Sequence, residues 1–293
     1  MSQIQIDPQI YELYDEFCHS SMSRREFLSR ASRLVVVGGS ALIMAQALLP
    51  HYAEAAVISF TDTRIKANYV EYDSPGGNSG RMRGYLVQPV GQGPFPAVVV
   101  IHENRGLNPY IEDVARRLAV EGFLALAPDG LFPAGGYPGN DEDGKLLQAG
   151  LDQNRLFADL LNSARFVKAH PLSSGKLGAT GFCFGGGVVN QLAVVMGNEL
   201  QAGVPFYGRA ADTVDVPRIQ APLLIQYAEE DPRINAMRAD FEQALVSAGK
   251  AFEMFVYPGT QHGFHNNSTP RFNEAQADLA WNRTLAFFRQ HLA

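Results

Sequence analysis

Leu177-Gly178-Ala179-Thr180-Gly181-Phe182-Cys183-Phe184-Gly185-Gly186-Gly187-Val188-Val189 runs from a strand-like stretch straight into a helical one, with a cysteine at the join. Gly181 and Gly185 stand two before and two after it, the G-x-S-x-G pattern with sulfur in place of oxygen. A sharp strand-to-helix turn presses its neighbours against the adjoining strand and helix, and glycine has no side chain to clash there. Such a turn points the sulfur at a helix N-terminus, whose partial positive charge favours thiolate over thiol. With 28 glycines and 2 cysteines in 293 residues, composition alone predicts about 0.02 matches to G-x-C-x-G. The bland alternative is a buried structural cysteine in a Gly-rich turn, or a turn that holds a phosphate.

Outward from the elbow, extended and helical patterns alternate without repeats or a splitting linker. Upstream, Phe95 to His102 is a nearly continuous β-branched run, as expected of a strand buried on both faces, and Ile111 to Glu121 has helical spacing. Further strands are predicted at Phe123–Ala127, Leu177–Phe182, Gly203–Tyr207, Leu223–Tyr227 and Phe252–Tyr257. Helices are predicted near Leu156–Ala169, Val188–Met196, Ala236–Ala248 and Asn273–His291. The fold class is therefore α/β, a mostly parallel twisted sheet with helices on both faces. Tyr69–Tyr72 and Arg83–Val87 flank a Ser-Pro-Gly-Gly-Asn-Ser-Gly turn and predict a hairpin leading into the sheet. Leu131 to Asp143, rich in Gly, Pro and Asp, fits neither period and predicts a loop over the carboxyl edge, a candidate lid.

A nucleophile needs a base, and in chain order the acid and the histidine should follow it. Asp231 lies just past one predicted strand, and His262 lies past the next. Both sit at carboxyl ends of strands, where loops converge in open α/β sheets. His262 would take the thiol proton and return one to the leaving group, while Asp231 would fix its tautomer. Glu229 and Glu230 are alternatives to Asp231, and a lone loop histidine is commonly only a surface residue.

With these residues in view, everything after Phe60 resembles the dienelactone hydrolases, of the α/β-hydrolase superfamily, and most of all a bacterial exported branch. The resemblance rests on Gly181-Phe-Cys-Phe-Gly-Gly, Asp231, His262-Gly-Phe, His102-Glu-Asn-Arg-Gly-Leu-Asn and Phe206-Tyr-Gly-Arg. It implies a carboxylic ester hydrolase that opens small esters or lactones without a cofactor, through a Cys183 thioester. It also implies that Glu103 helps to generate the thiolate, and that the backbone N–H groups of Phe184 and Asn104 form the oxyanion hole. A glutamate paired with Arg105 is the plainer alternative for Glu103. Where the resemblance implies substrate-holding arginines, one in the lid and one four residues after the histidine, this chain has an acidic lid and Asn266. An anionic substrate is thereby opposed by charge. Arg105, Tyr207 and Arg209 are the candidates for the substrate pocket; Tyr207, with Phe132 and Tyr137, would line an apolar pocket or equally belong to core and rim.

Charge and composition narrow the alternatives. Lys plus Arg 24 against Asp plus Glu 30 gives a net charge of −6, the wrong sign for binding a phosphate backbone, so no nucleic acid partner is expected. Cys18 and Cys183 make neither a disulfide framework nor a zinc site, and His102, His262 and His265 lack diagnostic ligand spacing, so no metal is expected. No nucleotide loop appears. An acyl transferase with the same triad, a non-catalytic binding domain and a thiol redox sensor are the competing functions; the last lacks a resolving cysteine once the N-terminus is removed.

The first 55 residues read as a targeting peptide. Ser23-Arg-Arg-Glu-Phe-Leu28 has the twin-arginine form, an apolar run follows from Leu34 to Leu49, and Ala53-Glu-Ala55 offers a small-residue cleavage site. The expectation is export through residues 23–28, cleavage after Ala55, and a 56–293 domain that is periplasmic or secreted. An uncleaved membrane anchor is the alternative, although the apolar run is shorter than the ~20 residues a spanning helix needs. Docking of this segment on the body fits poorly with a run that is apolar on every face.

Overall fold

The computed structural model describes residues 7–20, 22–34, 40–50 and 52–293. Four helices come first: α1 (Pro8–His19), α2 (Arg24–Ala31), α3 (Ala41–Ala47) and α4 (Tyr52–Ala55). The strands and helices of the body then alternate, as β1 (Ile65–Asp73), β2 (Arg81–Pro89), β3 (Phe95–Ile101), α5 (Pro109–Val120), β4 (Leu124–Pro128), α6 (Asp141–Ala149) and α7 (Gln153–Lys168). The chain continues through β5 (Ser173–Phe182), α8 (Phe184–Met196), β6 (Ala202–Phe206), β7 (Leu223–Glu230), α9 (Pro232–Asn235), α10 (Arg238–Ser247), β8 (Phe252–Gln261) and α11 (Glu274–Leu292).

Strand order is β1-β2-β4-β3-β5-β6-β7-β8. The β1–β2 and β2–β4 pairs are antiparallel and every later pair is parallel, so the hairpin forms one edge and the parallel strands the centre. Successive residues of β3 serve opposite faces. Val99 and Ile101 lie in the core layer that α7 and α8 cover, while Val98 and Val100 lie in the layer that α5 covers. All four are fully buried, which explains why the run is apolar throughout and does not alternate. Each such side chain contributes about 1.5–3 kcal/mol of burial.

Helix starts follow local chemistry. Asn108 caps α5 by accepting from the Ile111 amide with Pro109 at the first helical position, and Asp152 caps α7 by accepting from the amides of Asn154 and Arg155. The 131–143 segment is more ordered than a loop: Phe132–Ala134 forms a 3₁₀ turn, and Asn140 caps α6 by accepting from the Asp143 amide. Its Asn-Asp-Glu-Asp run is a helix start, with acidic residues placed at the positive end of the helix dipole.

The four leading helices dock on the body. Ile10, Tyr14, Phe27, Ala31, Met44 and Leu48 close on one another in a cluster of their own, apart from the two layers of the sheet core. Ala41, Met44 and Ala45 of α3, with Leu48 after it, turn into this small unit, while Leu42 and Ile43 stay exposed on the outer face of the helix; residues 35–39 of the apolar run lie outside the described residues. Among the described residues no helix is long and apolar enough to cross a membrane.

Candidate active site

Parallel strands end together, and the ends of β3, β5, β6, β7 and β8 bring the candidate residues to one edge. Cys183 occupies the turn between β5 and α8 with φ 56° and ψ −113°, in the left-handed half of backbone space where side chains are rare. Such a conformation costs about 1–3 kcal/mol and persists only where the surroundings impose it. They do so through contact. A Cβ on Gly181 would lie 2.3 Å from the Gly185 carbonyl oxygen, and one on Gly186 would lie 2.5 Å from that of Phe206.

Gly185 is the tightest point, since a Cβ there would meet the carbonyl oxygens of Ile101 at 2.3 Å and His102 at 2.7 Å. Both are backbone atoms of the strand that carries Glu103 and Asn104, and neither can swing aside. Gly185→Ala is therefore expected to destabilise the protein by about 3 kcal/mol through overpacking, read as a lower urea midpoint at unchanged slope. A midpoint equal to that of the parent protein would show that α8 does not press on β3.

His262 follows β8. Its Nδ1 lies 2.5 Å from Asp231 Oδ2, and both side chains are buried. An ionised carboxylate can only accept, so Nδ1 carries the proton and Nε2 is the acceptor, turned to the Cys183 thiol, with which His262 is hydrogen-bonded. Burial alone lowers the pKa of His262. The neighbouring Cys183 and the hydrogen bond that His262 donates to Asp231 outweigh it and hold the imidazole above its ordinary value. Asp231 is also the cap of α9, accepting from the Ile234 amide at 3.3 Å through Oδ1.

Glu103 is buried beyond β3, and its Oε2 accepts from Asn266 Nδ2 at 3.1 Å. Burial raises its pKa, the Arg105 charge opposes this, and Cys183 and Asp141 raise it further, so that the carboxyl is biased toward its neutral form. Asn266 is locked with its nitrogen toward Glu103 because its Oδ1 accepts from both the amide and the hydroxyl of Ser268. The sequence marks position 266 only as a missing arginine; its service to Glu103 needs the folded loop. His102 holds the same turn, donating from Nδ1 to the Glu103 carbonyl at 2.6 Å and accepting at Nε2 from the Gly130 amide at 3.2 Å. His265 lies 2.7 Å from the Tyr110 hydroxyl in an aromatic pocket. The three histidines thus point to three different tasks, and among the described residues no cluster is arranged to hold a metal ion.

Phe184 opens α8, so its amide is one of those a helix leaves without an internal partner. A cavity of about 300 Å³ reaches Cys183 and is lined by Asn104, Phe184, Arg209, Arg233 and Ile234. Arg209 thus stands at the cleft, largely exposed. Arg233, which the motifs do not single out, joins it from α9. Tyr207 and Arg105 are placed elsewhere. Tyr207 is fully buried with φ 35°, and its ring lies 4.9 Å from that of His262. Arg105 is buried and paired with Asp141 at 2.7 Å, as a buried guanidinium must be. The lid carboxylate that on sequence would repel an anion is thus committed to a cation.

This arrangement can take a proton from a thiol, hold the resulting imidazolium against a carboxylate, and offer amides to a developing oxyanion. Comparison with known proteins agrees on the class. The family described as "Dienelactone hydrolase family" matches residues 82–292, and one described as "YqhI-like" matches residues 1–36. "Putative hydrolase fragment YghX" of Escherichia coli is 58% identical over 114 residues, covering 39% of this chain and 97% of that one. A "Putative carboxymethylenebutenolidase" of Saccharolobus solfataricus is 32% identical, covering 75% of this chain and 96% of its own. Among solved structures, the "Putative Dienelactone Hydrolase" of Klebsiella pneumoniae superimposes with a TM-score of 0.66 at 29% identity, covering 77% of this chain and 99% of that chain.

Proposed function

The chain belongs to the dienelactone hydrolase family, a hydrolase acting on esters or lactones, and we propose that it works through a thioester on Cys183. The observation that carries this reading is the relay from Asp231 through His262 to a cysteine held at a helix N-terminus. His262 Nε2 takes the thiol proton as Cys183 Sγ bonds to the substrate carbonyl carbon. Charge collects on the carbonyl oxygen, where the amides of Phe184 and Asn104 donate to it. The carbon–oxygen bond then breaks, and the leaving alkoxide takes the proton from His262; from a lactone it stays tethered to the acyl group. Water enters, gives a proton to His262, and releases the acid and the thiol. Glu103, whose pKa burial raises and whose charge acts on Cys183, supports activation of the thiol, and Arg209 at the cleft mouth is the pocket residue best placed to meet substrate. No cofactor is needed for any step.

A short-chain aryl ester mixed with the enzyme and quenched in acid is expected to give a burst of phenol and one acyl group on the Cys183 peptide, removed by hydroxylamine. Undiminished turnover by enzyme alkylated at Cys183 would overturn the covalent route. Adding an alcohol or thiol acceptor separates hydrolysis from acyl transfer, the second use of the same triad, by whether acid or a new ester forms.

The N-terminal segment is proposed to direct export through residues 23–28, leaving residues 56–293 in the periplasm or outside the cell. Supporting this, Ser23 caps α2 and both Arg24 and Arg25 are exposed on it. An uncleaved segment would instead tether the enzyme.

A further inference from the structure

The C-terminal end of α1 is gripped by the catalytic body. The last carbonyls of any helix lack internal partners and carry the negative end of its dipole. Here the Phe17 carbonyl accepts from Lys145 Nζ at 2.5 Å and the Cys18 carbonyl from Asn104 Nδ2 at 2.8 Å. Lys145 also reaches the Met22 carbonyl at 3.1 Å. Arg105 Nη2 lies 2.9 Å from Cys18 Sγ, and Arg271 lies over the Tyr14 ring and 3.6 Å from Asp15. Three cations from separate parts of the body, on the β3 loop, α6 and the loop before α11, thus converge on one helix end.

This place adjoins the reacting groups. Arg105 follows Asn104, which lines the Cys183 cleft, and the charges of Arg105, Arg271 and Cys183 all act on Glu103. A second cavity of about 670 Å³ lies between the segment and the body, walled by Phe17, Cys18, Tyr52, Arg105, Tyr137 and Lys145. Two features mark the contact as reversible. The segment's apolar residues form their own cluster, so lifting it leaves the sheet core intact. The contact is also imperfectly satisfied, with the Tyr14 hydroxyl and Arg271 Nε buried without hydrogen-bond partners.

We propose that the segment carrying α1 to α3 is an intramolecular cap, its first helix end standing in for an anionic ligand of Arg105, Arg271 and Lys145. The cap keeps that side of the site closed in the full chain. It leaves the smaller cleft open to short acyl groups, and its displacement exposes Arg105 and Arg271, whose charges act on Glu103, together with Lys145, to an acyl chain that ends in an anion. This regulation rests on Cys183 being the nucleophile.

The test uses the full chain and its Phe27→Asp variant, which breaks the cap's own cluster. Alkylation of each cysteine by neutral iodoacetamide and anionic iodoacetate is followed by peptide mass, with Cys18 labelling reporting release. In the variant, iodoacetate labelling of Cys183 is expected to rise about tenfold and iodoacetamide labelling less than about threefold, because only the anion gains the freed cations. An aryl ester whose acyl chain ends in a carboxylate should gain about tenfold in kcat/KM, and the aryl acetate less than about threefold. Lys145→Met, which removes a body-side anchor, should move both readouts the same way by a smaller factor and serves if Phe27→Asp does not fold. Labelled Cys18 with equal change for both reagents would overturn the cap, as would Cys18 that stays protected in both variants. Iodoacetate selectivity without turnover of any ester would uphold the cap and sink the hydrolytic reading of Cys183; turnover through a Cys183 adduct without that selectivity would do the reverse.

Discussion

Cys183→Ala is expected to lower kcat/KM for a short-chain aryl ester by about 10⁴-fold while leaving the fold in place. The size follows from what remains. His262, Asp231 and the amides of Phe184 and Asn104 are all retained, but no acyl group can be transferred to the protein, and residual turnover depends on water finding the same angle of attack. Groups that act as a unit lose nearly all their effect when one is removed. The stability side is equally definite. Position 183 already carries a Cβ at φ 56°, so alanine inherits the same strain and loses only sulfur contacts at a half-buried site. The urea midpoint should therefore stay within about 0.5 kcal/mol of the parent. A variant that kept a tenth of the parent's activity would remove Cys183 from the chemistry; one that failed to fold would show that the thiol is structural, the plainer reading of a cysteine in a glycine-rich turn.

Asp231→Asn is expected to cost about 10³-fold in kcat, with KM changed far less. The substitution separates two duties of one side chain. As cap of α9, asparagine serves as well as aspartate, so the helix start survives. As partner of His262 it does not, because a neutral amide neither selects the Nδ1–H tautomer nor stabilises the imidazolium. The pH profile reports the same loss. In the parent, burial lowers the pKa of His262, but Cys183 and Asp231 together raise it above the ordinary value, so the acid limb of kcat/KM lies above about pH 6.5. Removing one of the raising groups moves that limb to lower pH.

The linked stability has the opposite sense. A folded-state pKa raised above the unfolded one contributes stability that is complete below the unfolded value and is lost as pH rises through the folded one. Asp231→Asn should consequently be further from the parent in stability at pH 6 than at pH 9. An unshifted limb with full activity would assign the partner role to another group, and Glu229 and Glu230, both exposed at the end of β7, are the neighbours to test.

The sequence alone determined the parallel α/β sheet, because β-branched runs such as Phe95–Ile101 can be buried on both faces in no other common arrangement. It also located the elbow, since glycines two either side of Cys183 answer a local steric demand that chain order makes visible. Asp231 and His262 were legible for a related reason: carboxyl ends of adjacent parallel strands meet without any choice of side-chain path. Tertiary structure decided what depends on which way a side chain turns after its strand ends. Tyr207, one residue past β6, goes under His262 and not into the cleft, while Arg105 is drawn to Asp141, since a buried charge must find its counter-charge. Asn266 gained its place by holding Glu103 through a loop closed by Ser268. The docking of α1 to α3 was the least legible, because the carbonyls that anchor it carry no residue identity: every helix ends in the same four unsatisfied groups, and only the folded chain shows whether Lys145 and Asn104 or water will meet them.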